Sequence, residues 1–230
     1  MDTQFHYERH LCPKCLNEAE VVVWDVLHAE SDPDLKERLL AKDLLSFICQ
    51  NCGETLTVGT GFLYVDEALG LAIYRHPELT QWFDENAEDL SAQKACLAAL
   101  NQQVPIGFAG VSRHRLAADL NSVNELIHIA SHHLDDRIMM LLKVALMARY
   151  AEDEGVAIQM LYFIARQGEQ LCFQALMPEN EWQTIEVNAE LYDQALELLQ
   201  PSLPPDDEWL LLDLAWARQM MRQLANEVET

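Results

Sequence analysis

The spacing of apolar and polar residues changes several times along the chain. The stretch 18-EAEVVVWDVL-27, dense in valine and carrying Trp24, reads as a strand. Asp32-Pro33 then supplies a cap and a proline for a first helical turn, predicting a helix over 33–45 with Leu35, Leu39 and Leu40 on one face. Residues 46–49 extend again, and 54–66 with 70–76 predict a hairpin around Glu67-Ala68-Leu69. Residues 80–100 look helical, 101–110 loop-like, and 111–118 reads as a short strand. Ser122 and Glu125 have capping-box spacing ahead of Leu126, Ile127, Ile129 and Ala130. Asp135-Asp136 open a further helix that ends near Gly155. Strands over 156–165 and 169–177 turn at Arg166-Gln167-Gly168, and a third covers 183–188. Asn188 caps a helix over 189–200 that Pro201 stops, and 204-PPDDE-208 launches a last helix to residue 227, placing Trp209 and Trp216 on one face.

Onto this pattern fall two cysteine pairs, 12-CPKC-15 and 49-CQNC-52, separated by 33 residues. Cys12, Cys15, Cys49 and Cys52 have the spacing of a tetrahedral zinc site, in which a two-residue gap turns both sulfurs of a tight knuckle toward one point about 2.3 Å away. Pro13 fixes φ inside the first knuckle and Gly53 permits the positive φ that ends the second. The first knuckle ends in Leu16-Asn17, where glycine is commoner, and Asn17 is the residue that tolerates left-handed geometry. A redox pair is the competing reading, because glutaredoxins carry CPxC near the N-terminus and 103-QVPIGFAG-110 resembles their Val-Pro stretch; metal-free buried thiols are the other alternative. A redox thiol sits at a helix N-terminus, whereas CPKC runs into a predicted strand. Zn(2+) held by four thiolates has no open coordination position, so it is structural, and its binding energy of about 10–16 kcal/mol becomes folding energy.

The cysteine pairs, the segment 32-DPDL-35 between them and the turn 64-YVD-66 after them resemble the CpXC family of bacterial proteins. That family pairs CPxC with a later CxxC, places a DP-x-L helix between the pairs and follows the second with a Tyr-x-Asp turn. The stretch 122-SVNELIHIASHHLDDRIMMLLK-143 is similar to its following helical segment, so the resemblance covers residues 5–150. It implies that Cys12, Cys15, Cys49 and Cys52 are the zinc ligands and names no reaction. The missing glycine after Cys15 departs from the pattern. The expected fold is α+β: a four-cysteine zinc ribbon over 5–78, antiparallel with an inserted helix; a helix and loop over 79–112; and a helix-rich α+β module over 113–230.

Other candidates read more simply as structure. His128 and His132 lie one turn apart with Asp136 beyond, but positions 129–131 are Ile, Ala and Ser, so no HExxH base exists. A hydrogen-bonded histidine cluster is the expectation, with a weak metal site as its rival. Cys96 and Cys172 sit among apolar residues and read as buried small hydrophobes. Arg113, His114 and Arg115 form the densest cationic spot, read as an internal ion-pair group with anion contact as the alternative. Trp209 and Trp216 read as core, with a partner-docking stripe as the alternative. Phosphate-cradling glycine loops and the G-x-S-x-G elbow are lacking.

Charge narrows the function classes. The chain has 38 acidic and 15 basic residues, net −23, of which −8 falls in residues 1–80 and −15 after them. This field repels nucleic acid and anionic membranes and reads as a solvated surface, with an acidic docking face as the alternative. Neither a secretory signal nor an apolar run long enough to span a bilayer is seen, so a cytoplasmic protein is expected. The sequence therefore predicts a zinc-stabilised, non-catalytic interaction or adaptor protein with a protein partner. Its alternatives are an enzyme using the His128/His132 or Arg113/Arg115 region, or a nucleic-acid-binding ribbon limited to Arg9, Lys14, Lys36, Arg38, Lys42 and Arg75.

Overall fold

The computed structural model describes residues 2–82, 90–105, 108–206 and 208–228. The chain is α+β and divides into two compact units, Met1–Asn124 with Asp207–Trp209, and Glu125–Asp206 with Leu210–Thr230.

The first unit is built on a mixed sheet. Strand β1 (Gln4–Leu11) pairs antiparallel with β2 (Glu18–His28), and the first cysteine knuckle forms the turn between them. Helix α1 (Pro33–Leu40) follows, with Asp32 at its N-cap and Pro33 in its first turn. It stops five residues earlier than the expected 45. Lys42 adopts φ 61°, its N–H donates to Leu39 O at 3.0 Å, and Asp43 N–H donates to Arg38 O at 3.1 Å. These two bonds are a Schellman ending made without glycine, which is why no stop was legible. A small hairpin of β3 (Ser46–Ile48) and β4 (Thr55–Thr57) carries the second knuckle.

The expected strand over 54–66 is thus two strands, β4 and β5 (Phe62–Asp66), in different sheets. β5 pairs antiparallel with β6 (Leu71–Arg75) and parallel with β2. The sheet is therefore mixed and not purely antiparallel. The helix expected over 80–100 is described as α2 (Leu79–Trp82) and α3 (Leu90–Gln103), with 83–89 outside the described residues. The loop expected over 101–110 begins only after Gln103, and its residues 106–107 also lie outside them. β7 (Arg113–Ala117) pairs parallel with β6, giving the order β1-β2-β5-β6-β7, with Trp209 beyond β7. Helix α4 (Leu120–Ser131) is capped by Asp119, whose carboxylate accepts from Ser122 N–H at 2.9 Å and Ser122 Oγ at 2.8 Å. Ser122 is therefore not the cap, and Glu125 turns inward instead of closing a capping box.

In the second unit, Asp135 caps α5 (Asp136–Glu154) and Gly155 ends it at φ 68°, as expected. Strands β8 (Met160–Gln167), β9 (Gln170–Leu176) and β10 (Trp182–Asn188) form an antiparallel sheet in the order β10-β9-β8. A bulge interrupts β8 at Ile164, and the Phe163 N–H donates to Glu125 Oε1 at 2.7 Å. Lys143, buried with Glu125, binds both of that carboxylate's oxygens at 2.7 Å. Leu134, Ile138, Met139, Phe163, Phe173 and Tyr192 lead the core, against which α6 (Glu190–Leu199) also packs.

The last helix is shorter than expected. Trp209 starts a strand, β11 (Trp209–Leu211), and α7 (Leu214–Val228) begins only after Asp213, whose carboxylate accepts from Trp216 N–H at 2.8 Å. The two tryptophans do not share a helix face. Trp209 is buried against His114 in the first unit, with its indole N–H on Asn101 Oδ1 at 3.1 Å. Trp216 packs with Leu141, Ala217 and Met220 in the second. No helix among the described residues is long and apolar enough to cross a membrane.

Candidate metal centre

The two knuckles are near copies of one another. In the first, Leu16 N–H donates to Cys12 O at 2.8 Å and Cys12 N–H to Asn17 O at 3.0 Å. In the second, Gly53 N–H donates to Cys49 O at 2.9 Å and Cys49 N–H to Glu54 O at 2.8 Å. The left-handed position is Gly53, at φ 71°, in one and Leu16, at φ 57°, in the other. The sequence assigned that role to Asn17; the chain gives it to a leucine whose side chain is 73% exposed. Lys14 and Glu54 tie the knuckles together across 2.6 Å.

Facing each other, the knuckles bring all four sulfurs within 4.8 Å. Two contacts run between knuckles: Cys12 Sγ to Cys52 Sγ at 3.6 Å and Cys15 Sγ to Cys49 Sγ at 3.7 Å. A tetrahedron of ligands about 2.3 Å from a central ion has edges of about 3.8 Å. The spacing is therefore that of a four-thiolate site, and the soft donor set suits zinc or iron. Cys12 and Cys49 are buried, Cys15 and Cys52 half-buried.

Electrostatics agree with the geometry. The Asn51 side chain, and then the Asn17 backbone N–H, hold the Cys15 thiol down to about 6. The Glu54 backbone N–H draws Cys52 down as well, but burial and the three neighbouring sulfurs outweigh it and push Cys52 up to about 12. Thiols this close cannot all ionise unless a cation lies among them.

Apolar support around the knuckles is thin. Val21, Val23 and Val58 are the buried members of the local cluster, with Ala19 and Phe47 against them. Beside it on β1, on the face shared with Val21 and Val23, Glu8 accepts from His6 at 3.1 Å and His10 at 2.9 Å, and His6 also meets Asp25 at 2.9 Å. The sequence reading overlooked this strand, although the alternation of Phe5 and Tyr7 with His6, Glu8 and His10 announces it.

Tyr64 and Asp66, the Tyr-x-Asp pair, have a structural task. Asp66, buried, accepts from Lys36 Nζ and Tyr64 Oη, each at 2.7 Å, and from Leu69 N–H at 3.0 Å. Burial opposes its charge, but these three donors, led by Lys36, outweigh it and hold Asp66 below its ordinary value. The carboxylate thereby locks α1 to the β5–β6 turn.

The remaining candidates do not gather into a metal site. Among the described residues, the only group of three or more His, Cys, Asp or Glu able to share an ion is Cys12, Cys15, Cys49 and Cys52. His132 lies edge-on to Phe163 and accepts from Arg166 N–H at 3.4 Å, while burial and then His132 lower His128. His114 and Arg115 are buried in β7, and Arg113 donates to Leu69 O at 3.0 Å. Burial raises the thiols of Cys96 and Cys172, with Glu186 adding to the second. The family described as CpXC protein matches residues 11–143, a span holding all four clustered cysteines and more than half of the chain. No curated protein and no solved structure matches it.

Proposed function

The chain belongs to the CpXC family, and we propose that its four clustered thiols hold one structural zinc ion in a ribbon-like N-terminal module, and that the protein acts by binding another protein and not by catalysis. The observation that carries the metal reading is the meeting of two matched knuckles at tetrahedral sulfur spacing. Four thiolates fill zinc's coordination shell, leaving no position for water or substrate. When bound, the ion supplies cross-linking and charge balance. Cys12 and Cys49 anchor it from the buried side, and the knuckle N–H groups stabilise the thiolates.

Charge supports a basic protein partner over nucleic acid. Of the six cations of the N-terminal module, Lys14, Lys36 and Arg38 are paired with Glu54, Asp66 and Asp43. Those pairs leave little positive field for a phosphate backbone on a chain of net −23. Burial of His114 and Arg115 weighs against the catalytic alternative at that strand.

Elemental analysis of the purified full chain tests the metal reading. One zinc per chain is expected, falling to well under half in Cys49→Ser. Iron in its place, or full zinc retention by the variant, contradicts the assignment. Affinity capture from native lysate is expected to retain a stoichiometric basic protein, and repeated recovery of none counts against the interaction role.

A further inference from the structure

Strand β1 ends the described sheet with one edge open. No proline or lysine occurs in Gln4–Leu11, and its one irregularity lies at the very start, between Gln4 and Phe5. One face is largely apolar, with Phe5 50%, Tyr7 60% and Leu11 62% exposed and Arg9 as its charged member. Register places Phe5 beside Trp24 and Tyr7 beside Val22 on β2, and the rings of Phe5, Tyr7 and Trp24 meet edge to face. An edge that no strand among the described residues pairs with is a template for another strand.

We infer that β1 pairs antiparallel with β1 of a second copy of this chain, about a two-fold axis at Tyr7. The argument is complementarity of the strand with itself. Such an axis stands perpendicular to the sheet and keeps each strand's apolar face on the same side, so paired residue numbers sum to a constant even number. Centred on Tyr7, the pairing sets His6 opposite Glu8, Phe5 opposite Arg9 and Gln4 opposite His10 of the other copy. Opposite charges and a cation–aromatic pair then face each other twice over. Centred on Glu8, the same strands oppose two carboxylates; centred on His6, two imidazoles. The strand itself carries one glutamate and one arginine, a locally balanced stretch on a chain of net −23, where two such chains can touch.

Sedimentation of the full chain tests this. A species of twice 26.3 kDa is expected. Its association should tighten at least tenfold as salt rises from about 0.05 to about 0.5 M, because screening removes the repulsion between two acidic molecules. Tyr7→Lys puts two ammonium groups on the axis and should leave only monomer with its far-UV circular dichroism unchanged, since that side chain is exposed. Tyr7→Cys should cross-link on mild oxidation, because Cα atoms at the axis lie about 5 Å apart. Glu8→Cys should not, its copies being roughly 8 Å apart in this register. A chain still monomeric at about 100 µM in high salt overturns the proposal and gives the edge to a strand of a different protein. A dimer that survives Tyr7→Lys overturns it too, and cross-linking of Glu8→Cys alone overturns the register.

Discussion

Leu16 holds a backbone conformation that glycine holds in the matching knuckle. A left-handed φ costs an L-residue about 1–2 kcal/mol, and glycine gives back about 0.5–1 kcal/mol in the unfolded chain. Leu16→Gly is therefore expected to raise stability by about 0.5 kcal/mol in urea titration, with no apolar burial lost, whereas Gly53→Leu should lower it by a similar amount. A decrease for Leu16→Gly would mean that the exposed leucine makes contacts elsewhere. Asp66 supplies the second prediction at this scale. Its folded pKa lies below the ordinary 3.8, so its contribution is complete above that value and fades as pH falls through the folded one. Asp66→Asn should cost about 2 kcal/mol at neutral pH by weakening the bond to Lys36. The difference from the parent should shrink below about pH 4. The gathering of the four cysteines was legible because their spacing is a property of residues alone. The left-handed Leu16 was not, since neighbouring Asn17 was the better intrinsic candidate and the matched knuckle geometry overrode that preference.

Elements were legible where local chemistry agreed with tertiary context. Pro33, Asp135 and Gly155 mark their helix ends as ring constraint, side-chain capping and backbone freedom require, while Asp32 holds the N-cap position without a side-chain hydrogen bond. Three elements escaped because a partner decided them. Lys42 ends α1 in a conformation usually given to glycine, Glu125 leaves its helix turn for Lys143 and the bulge of β8, and Trp209 enters a strand beside residues far away in sequence. The weakest elements are those around the knuckles. β3 and β4 are three residues each and share three buried valines with β2. Removing the ion with a chelator should therefore raise amide exchange in β3, β4 and the knuckle end of the β1–β2 ribbon by about 100-fold or more. β8, β9 and β10, with a core of their own, should keep their protection. Equal protection in both sets after complete metal removal would show that the valines suffice.

For the whole molecule, the α+β class and the CpXC family were both readable before any coordinates. The mixed sheet was not, because parallel pairing of β2 with β5 and of β6 with β7 leaves no local signature. The crowded sulfurs have a consequence for the charge of the entire protein. Without an ion, Cys15, held down to about 6, is the thiol that ionises first, and Cys52, pushed up to about 12, keeps its proton at neutrality. Loading a divalent cation expels the remaining protons and leaves four thiolates against two positive charges. Gaining metal thus makes an already anionic molecule more anionic wherever fewer than two of the four thiols are ionised beforehand. The loaded form should elute later from an anion exchanger than the stripped form, and acid should discharge the ion steeply. Earlier elution of the loaded form would mean that fewer than four thiolates take part.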